Sequence, residues 1–197
     1  SNIYLIGCKK TREAALIDFG GYGAATIDKY LNSNGLKLKA LLLTHGHNDH
    51  IWGASLIENI YKVPVYINQS DRNWFDSMTG IYKRAGLTHN AIPLNFVFVN
   101  DKDKINIGNI AIEVIHTPGH SKGSVCYYIP FERSLFTGDT LFKNAVGNIN
   151  FAGGSRKELK DSVLRLLTLP EYTNIYAGHL DQTTIKQEKV NNMVYSF

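Results

Sequence analysis

The hydrophobic pattern of the chain divides into short apolar runs and amphipathic stretches. Apolar runs of strand length, bounded by Gly, Pro, Asn or charged residues, predict β-strands in the segments 2–7, 13–20, 38–44, 64–68, 95–100, 104–109, 110–117, 124–130, 133–138 and 172–178. Apolar residues at helical spacing predict helices in the segments 23–34, 53–61, 70–85, 155–169 and from 184 onward.

Several local signals refine these elements. The polar turn after residue 7 predicts a hairpin of the first two strands, and the continuous apolar run 38–44 is typical of a strand buried on both faces. The strands from residue 95 to 138 are separated by short turns, so we expect an antiparallel meander. Ser155 with Glu158, and Thr184 with Gln187, predict capped helix starts.

The same order of elements occurs twice along the chain: β-strands first, then helices. This order indicates an α/β (α+β) fold. A chain of 197 residues, 44% hydrophobic and 19% charged, is long enough for a sizeable core, and we expect one domain, or at most two small ones. Two cysteines do not make a disulfide framework, so a reducing, cytoplasmic location is expected. We expect Cys126 in the core and Cys8 partly exposed.

The net charge of +4 is mild. Its densest basic spots, Lys9–Lys10 and Lys102 with Lys104, are typical of solvated turns rather than of a phosphate-binding stripe. We therefore expect no nucleic-acid partner. No apolar run approaches the ~18 residues of a membrane span, and no signal peptide is visible, so we expect no membrane partner either. The oligomeric state is left open.

Metal-capable side chains follow the ends of four predicted strands, and at each strand end a glycine lies beside at least one of them. These residues are His45, His47, Asp49, His50, His120, Asp139 and His179. Neighbouring strands bring their ends to one rim, where a turn can point alternate imidazoles into one concavity and a carboxylate can bridge two ions. Five imidazoles and two carboxylates suit zinc, iron or manganese better than calcium or magnesium.

Other interpretations of this pattern are weaker. A lone H-x-H pair is usually part of a surface loop, but the recurrence of the pattern at further strand ends makes coincidence a poor explanation. A Ser-His-Asp triad is disfavoured because the sequence contains no G-x-S-x-G elbow. The pattern therefore predicts a metal site.

The segments THGHNDH, TPGHSKGS, FTGDTLF and YAGHLDQTTI resemble the metal motifs of the metallo-β-lactamase-fold superfamily, in particular short glyoxalase II-like (hydroxyacylglutathione hydrolase-like) enzymes. The resemblance covers nearly the whole chain. It implies a four-layer αββα sandwich, formed by residues 1–197 as a single domain without the C-terminal helical domain of full-length glyoxalase II. It further implies two metal ions, one bound by His45, His47 and His120, the other by Asp49, His50 and His179, with Asp139 bridging.

The chemistry that this resemblance implies is hydrolysis. A hydroxide generated from water between two divalent ions, zinc by default and iron or manganese as alternatives, attacks a carbonyl carbon. Asp49 is the expected catalytic residue, orienting the nucleophile and accepting its proton. A thiolate leaves without a dedicated proton donor, which favours a small-molecule thioester over an amide or phosphodiester; an ester is the alternative substrate. Alternatives on the same fold are a mononuclear-iron persulfide dioxygenase, a lactonase or another hydrolase. A non-catalytic metal-binding module is disfavoured because all seven ligands are present.

Some positions depart from the family pattern. Gly147-Asn148-Ile149-Asn150 replaces the common Gly-Arg-Thr-Asp, Trp52 stands where a glycine is usual, and Leu180 closes the last motif. We expect these departures to alter the pocket and to touch no predicted ligand. Asp18 matches a position that supports the metal loop, though a plain turn aspartate is nearly as good an interpretation. His89 and His116 are expected to be structural. Candidate pocket-lining residues are Tyr22, Trp52, Trp74 and Phe142.

Overall fold

A computed structural model describes residues 1–84, 92–93 and 95–197. Within these residues the chain divides into two compact units. The first unit takes residue 1 and the described parts of 3–98 and 106–110, and the second takes residues 2, 99–105 and 111–197.

The first unit contains a five-stranded sheet in the order β1-β2-β3-β4-β5. Its strands are β1 (Tyr4–Gly7), β2 (Glu13–Ile17), β3 (Lys37–Leu42), β4 (Val65–Ile67) and β5 (Phe96–Phe98). The predicted hairpin of β1 and β2 is confirmed, since these two pair antiparallel. All other pairs are parallel. Leu41, Leu42 and Leu43 are fully buried, as predicted for the apolar run.

The helices of the first unit are α1 (Ala24–Ser33), α2 (Asn48–Ile51), α3 (Ala54–Tyr61) and α4 (Trp74–Arg84). The helix predicted from residue 70 begins later, because Gln69–Asp71 forms a separate 3₁₀ turn; its expected last residue, at 85, lies outside the described residues. The short helix α2 was not predicted, since four residues are too few for a periodic pattern.

One strand assignment was wrong. We expected the segment 95–100 to open the meander, but β5 pairs in parallel with β4 in the first sheet. Alternating apolar residues indicate a strand without indicating its partner, and the helix that precedes β5 supplies the crossover that parallel pairing needs.

A six-stranded sheet follows the order β13-β12-β9-β8-β7-β6. Its strands are β6 (Lys104–Ile107), β7 (Ile110–His116), β8 (Val125–Ile129), β9 (Ser134–Gly138), β12 (Asn174–Ala177) and β13 (Thr183–Thr184). The predicted meander is confirmed for β7, β8 and β9, which pair antiparallel. In contrast, β12 lies parallel to β9. A small ribbon of β10 (Leu141–Phe142) and β11 (Ala145–Val146) follows β9.

The second unit has the helices α5 (Arg156–Leu166) and α6 (Ile185–Asn191). Ser155 and Thr184 cap them, each accepting a hydrogen bond from the backbone N–H three residues on. At Ser155 only this half of the predicted box forms, because its own N–H donates to the carbonyl of Gly119. The predicted inner face of α5 is buried: Leu159, Val163, Leu166 and Leu167.

A buried carboxylate secures the ribbon. Glu188, on α6, accepts from Thr183 Oγ1 at 2.6 Å, from the backbone N–H of Asn144 at 2.8 Å and from Asn192 Nδ2 at 2.7 Å. The same Asn192 amide also donates to the carbonyl of Ala145 at 3.0 Å. The ribbon therefore has a fixed position relative to α6.

The cysteines are both buried. Cys126 lies in the core, as expected, and burial raises the pKa of its thiol to about 12. Cys8, which we expected to be partly exposed, is only 5% exposed. Among the described residues, no helix is long and apolar enough to cross a membrane.

Candidate metal centre

The ligand loop of the first unit, residues 44–50, follows β3 directly. His45 and His50 are buried, and the ring centroid of His45 lies 4.1 Å from that of His50 and 4.8 Å from that of His47. The ligand atoms of each pair lie within 4.8 Å of one another. His47 precedes α2 with extended backbone, whereas His50 lies on α2. The short helix thus brings three imidazoles together that are spread over six residues of sequence.

Asp18 organises this loop from the end of β2. Its Oδ1 accepts from the backbone N–H of Thr44, and its Oδ2 accepts from Thr44 Oγ1 and from His50 Nδ1, each at 2.8 Å. Since a carboxylate oxygen only accepts, His50 Nδ1 donates and Nε2 keeps its lone pair. Thr44 Oγ1 lies 3.1 Å from His45 Nδ1 and can orient that ring in the same way.

The contacts of Asp18 decide between the two interpretations of this residue. It is 2% exposed and has a positive φ of 55°, a conformation that aspartate adopts more readily than most residues. A plain turn aspartate would point to solvent. Asp18 is therefore the support of the ligand loop, and such supports fix the tautomer and direction of ligand imidazoles.

A second support was missed by the sequence. Asp71, fully buried at the end of its 3₁₀ turn, accepts from the backbone N–H of Gly46 at 2.9 Å. A Cβ on Gly46 would lie 2.7 Å from the Asp71 carbonyl oxygen and would collide with the indole of Trp74. Only glycine fits there. The sequence separation of 25 residues between Gly46 and Asp71 explains why no local pattern predicted the contact.

Asp49 differs from its neighbours in being accessible. Its side chain is 53% exposed, and Oδ2 lies 3.4 Å from His50 Nε2. A carboxylate at the edge of an imidazole cluster, open to solvent, can both ligate a cation and exchange a proton with water.

In the second unit, Asp139 lies between two histidines. Its Oδ2 is 3.6 Å from His120 Nε2 and 3.6 Å from His179 Nε2. Asp139 directly follows β9, and His179 follows the parallel neighbour β12, so adjacent strand ends bring the two together as the sequence predicted.

The ring of His120 is fixed by the segment after β11. Its Nδ1 lies 2.7 Å from the carbonyl oxygen of Asn148, to which it donates, so Nε2 is the atom left facing Asp139. Gly147 packs so closely that a Cβ would collide with the Asp139 carbonyl oxygen. We expected the substituted segment 147–150 to touch no predicted ligand, and that was wrong: the contact is made by the backbone of Asn148, which side-chain identity does not reveal.

Aromatic residues lie beside several of these histidines. Trp74 meets the ring of His47 edge-on at 4.6 Å, and Phe142 lies 6.2 Å from His179. Phe151, which the sequence did not single out, lies 5.9 Å from His120. Of the other candidate pocket residues, Trp52 packs against Gly21 and the core, and Tyr22 is 88% exposed.

His116 has hydrogen-bond partners of its own. His116 Nε2 lies 3.0 Å from the carbonyl oxygen of Lys122, and its backbone N–H donates to Asp101. This bonding agrees with the structural role expected for it. His89 lies outside the described residues.

The donor set suits a borderline divalent metal. Imidazole nitrogens predominate and carboxylate oxygens are few, as zinc, iron and manganese prefer. The Nδ1 atoms of His50 and His120 donate to acceptors, so their Nε2 atoms carry the lone pairs that can bind a metal. The chain thus carries histidine and aspartate clusters able to bind metal ions.

Comparison with known proteins agrees with this chemistry. A family model described as "Metallo-beta-lactamase superfamily" matches residues 1–179. The chain is 33% identical over 184 residues to the hydroxyacylglutathione hydrolase GloC of Haemophilus influenzae, covering 92% of this chain and 86% of that protein.

Two solved structures are similar over almost their whole length. BLEG-1, a B3 metallo-beta-lactamase, matches with a TM-score of 0.84 and 34% identity over 97% of this chain and 92% of its own. TTHA1623, solved in a di-iron-bound form, matches with a TM-score of 0.83 and 31% identity over 97% and 93%. The expected fold class, mixed α/β sheets with helices, is confirmed.

Proposed function

The chain belongs to the metallo-beta-lactamase superfamily of metallo-hydrolases, and from this we propose that it hydrolyses small thioesters as a glyoxalase II-like enzyme. The observation that carries the proposal is the ligand chemistry: imidazoles oriented through Nδ1 by Asp18 and by the Asn148 carbonyl, so that their Nε2 atoms carry the lone pairs that can bind a metal. The identity to GloC supports thioesters as the substrate class.

We assign two ions to the seven residues. His45, His47 and His120 would hold one ion, Asp49, His50 and His179 the other, and Asp139 would bridge them. Zinc is the default metal, and iron or manganese suits the same donors. The di-iron form of TTHA1623 supports iron as a realistic alternative.

The mechanism assigns distinct tasks to these residues. Two divalent ions bound here would supply Lewis acidity, polarising a carbonyl oxygen and lowering the pKa of water toward ~7. The exposed carboxylate of Asp49 orients the attacking water and accepts its proton. A C–O bond forms as the C–S bond breaks, and the thiolate leaves without a proton because thiols, with a pKa of about 8.5, are acidic enough for the thiolate to be a good leaving group near neutrality. The products are a carboxylate and a thiol.

The test combines metal content with substrate range. Protein loaded separately with zinc, manganese or ferrous iron should hold close to two ions per chain by elemental analysis, and should hydrolyse S-lactoylglutathione or simple acyl thioesters. In His47→Ala, metal content should fall and kcat/KM should drop by more than the ~10–100-fold that a supporting residue contributes.

His116→Gln is the matched control. It replaces a histidine outside the ligand set and should leave metal content and activity near those of the unmodified chain. Two bound ions without hydrolysis of any thioester, ester or lactone would overturn the proposal. Oxygen consumption with a persulfide substrate would instead establish the dioxygenase alternative.

The likeness to BLEG-1 favours one second candidate, β-lactam hydrolysis. β-Lactam hydrolysis would use the same ions, but it breaks a C–N bond, and the departing nitrogen needs a proton. A chromogenic cephalosporin in the same assay separates the two: kcat/KM for it above that for every thioester would make β-lactams the substrate class.

A further inference from the structure

Phe151 is exposed in an unusual position. Its side chain is 49% exposed, yet its ring meets the imidazole of His120 edge-on, with centroids 5.9 Å apart and planes at 81°. His120 is buried and directs Nε2 toward Asp139. An accessible aromatic face therefore lies beside a side chain assigned to the metal centre.

The segment that carries Phe151, residues 147–154, is held at several points. The Asn148 carbonyl accepts from His120 Nδ1, and Asn148 Oδ1 accepts from the backbone N–H of Asn150 at 2.9 Å. The backbone N–H of Gly154 donates to the Phe151 carbonyl at 2.9 Å. The backbone that carries the ring is thus hydrogen-bonded to His120 through Asn148 and within the segment on both sides of Phe151.

The chemistry of this segment is uncharged. Residues 147–154 read GNINFAGG, with no acidic or basic side chain. Ile149 packs against the buried core cluster of the second unit, so Phe151 is the one large apolar side chain of the segment outside that core. A substrate group that touches the segment meets an aromatic face and neutral amides.

We propose that Phe151 determines specificity by contacting the acyl group of the substrate, and that it selects apolar acyl groups, linear or branched, over short or charged ones. This inference rests on the proposed thioester hydrolysis, since the carbonyl must react at the metal centre to which His120 contributes. The acyl chain is bonded directly to the reacting carbonyl carbon, and we place this chain, rather than the thiol, against the ring.

The test compares acyl chains at constant thiol. With N-acetylcysteamine thioesters, kcat/KM should rise by about tenfold from acetyl to hexanoyl, a modest gain typical of apolar contacts. Phe151→Ala should abolish that rise through KM, so that acetyl and hexanoyl substrates react with similar kcat/KM, and Phe151→Leu should restore most of it. Phe131→Ala, which removes a 93% exposed phenylalanine from the turn after β8, is the matched control and should change nothing.

A binding measurement separates failure of this inference from failure of the proposed function. The zinc-loaded chain should bind hexanoate more tightly than acetate by calorimetry, and Phe151→Ala should lose the difference even if no thioester is turned over. Equal losses for acetyl and hexanoyl substrates, or unchanged chain-length preference in both assays, would overturn the assignment. Altered discrimination among thiols at constant acyl group would move Phe151 to the leaving-group side and overturn it as well.

Discussion

At the scale of single residues, metal binding depends on the residues that hold the candidate ligands in place as well as on the candidate ligands themselves. Asp18 binds two members of the ligand loop, Thr44 and His50, through three hydrogen bonds of 2.8 Å. Such residues raise the basicity of the imidazole and hold its direction, so their loss weakens metal binding without removing a ligand.

Asp18→Asn is the sharpest test of this role. Asparagine keeps the shape and tolerates the positive φ, but its amide group cannot accept all three hydrogen bonds. We expect metal affinity to fall by about 10–100-fold in a chelator competition titration, with the far-UV circular dichroism spectrum retained. The exposed Asp161→Asn on α5 is the control; equal affinities in the two variants would contradict the role.

The sequence predicted candidate ligands more readily than the residues that support them. Metal-capable residues at strand ends carry a pattern that can be read from local order, and the histidines and aspartates found that way do group within each unit. Asp71 lies in an ordinary polar turn and contacts Gly46, 25 residues away in sequence. Asn148 contacts His120, 28 residues away, through its backbone carbonyl oxygen. Neither contact can be predicted from the composition of the chain or from the spacing of its residues.

At the scale of elements, α5 is tied to the end of β7 by a network of charges. Arg165 Nη2 lies 2.9 and 3.0 Å from the two carboxylate oxygens of Asp101, and Nη1 donates to the carbonyl of His116 at 3.2 Å. Partial burial raises the pKa of Asp101, but the hydrogen bond from the His116 backbone N–H and the ion pair with Arg165 outweigh it and hold the pKa below its ordinary value.

This pKa direction predicts an acid-sensitive contribution to stability. Because the folded pKa lies below the unfolded value of ~3.9, the contribution is complete above that value and is lost as the pH falls through the folded pKa. Asp101→Asn should therefore lower Tm between pH 5 and 7. The corresponding loss in the free energy of unfolding should be about 1 kcal/mol or less, because the ion pair is partly exposed.

Thermal melts from pH 2.5 to 7 measure this difference. The gap in Tm between the unmodified chain and Asp101→Asn should narrow below about pH 4. Asp161→Asn, which breaks the exposed ion pair with Lys157, provides the comparison for a surface charge. A gap that stays constant to pH 2.5 would show that the charge of Asp101 contributes nothing.

The positions of strands and helices were predicted more successfully than the pairing of the strands. Apolar periodicity located most described strands and helices, yet it placed β5 in the wrong sheet and gave no sign of α2. Pairing depends on how helices carry the chain from one strand to the next, and a single turn of helix is shorter than the window in which periodicity can be detected.

At the scale of the whole molecule, bound metal should appear as added stability. A ligand that binds only the folded chain contributes about 2.7 kcal/mol at a free concentration of 100 Kd. For a chain of this length that corresponds to a rise in Tm of about 5–10 °C. Melting with excess zinc and with chelator should show this difference.

Melting variants with zinc and with chelator identifies the residues on which the rise in Tm depends. His47→Ala should show a smaller rise in Tm with zinc, whereas Phe131→Ala should retain the full rise. Identical melting curves of the unmodified chain with zinc and with chelator would refute tight binding to the folded state. The measurement needs no substrate and so tests the metal assignment independently of activity.

The anchoring of His120 by a main-chain carbonyl has a consequence for how this protein can be altered. Every amino acid supplies the same carbonyl, so exchanging the side chain at position 148 leaves the bond to His120 Nδ1 available. Diversity introduced between Asn148 and Phe151 can therefore remodel the surface beside a ligand while the ligand keeps its anchor. A saturation library over these positions should retain metal in most members and differ mainly in what they accept, which makes this short stretch a natural starting point for directed evolution.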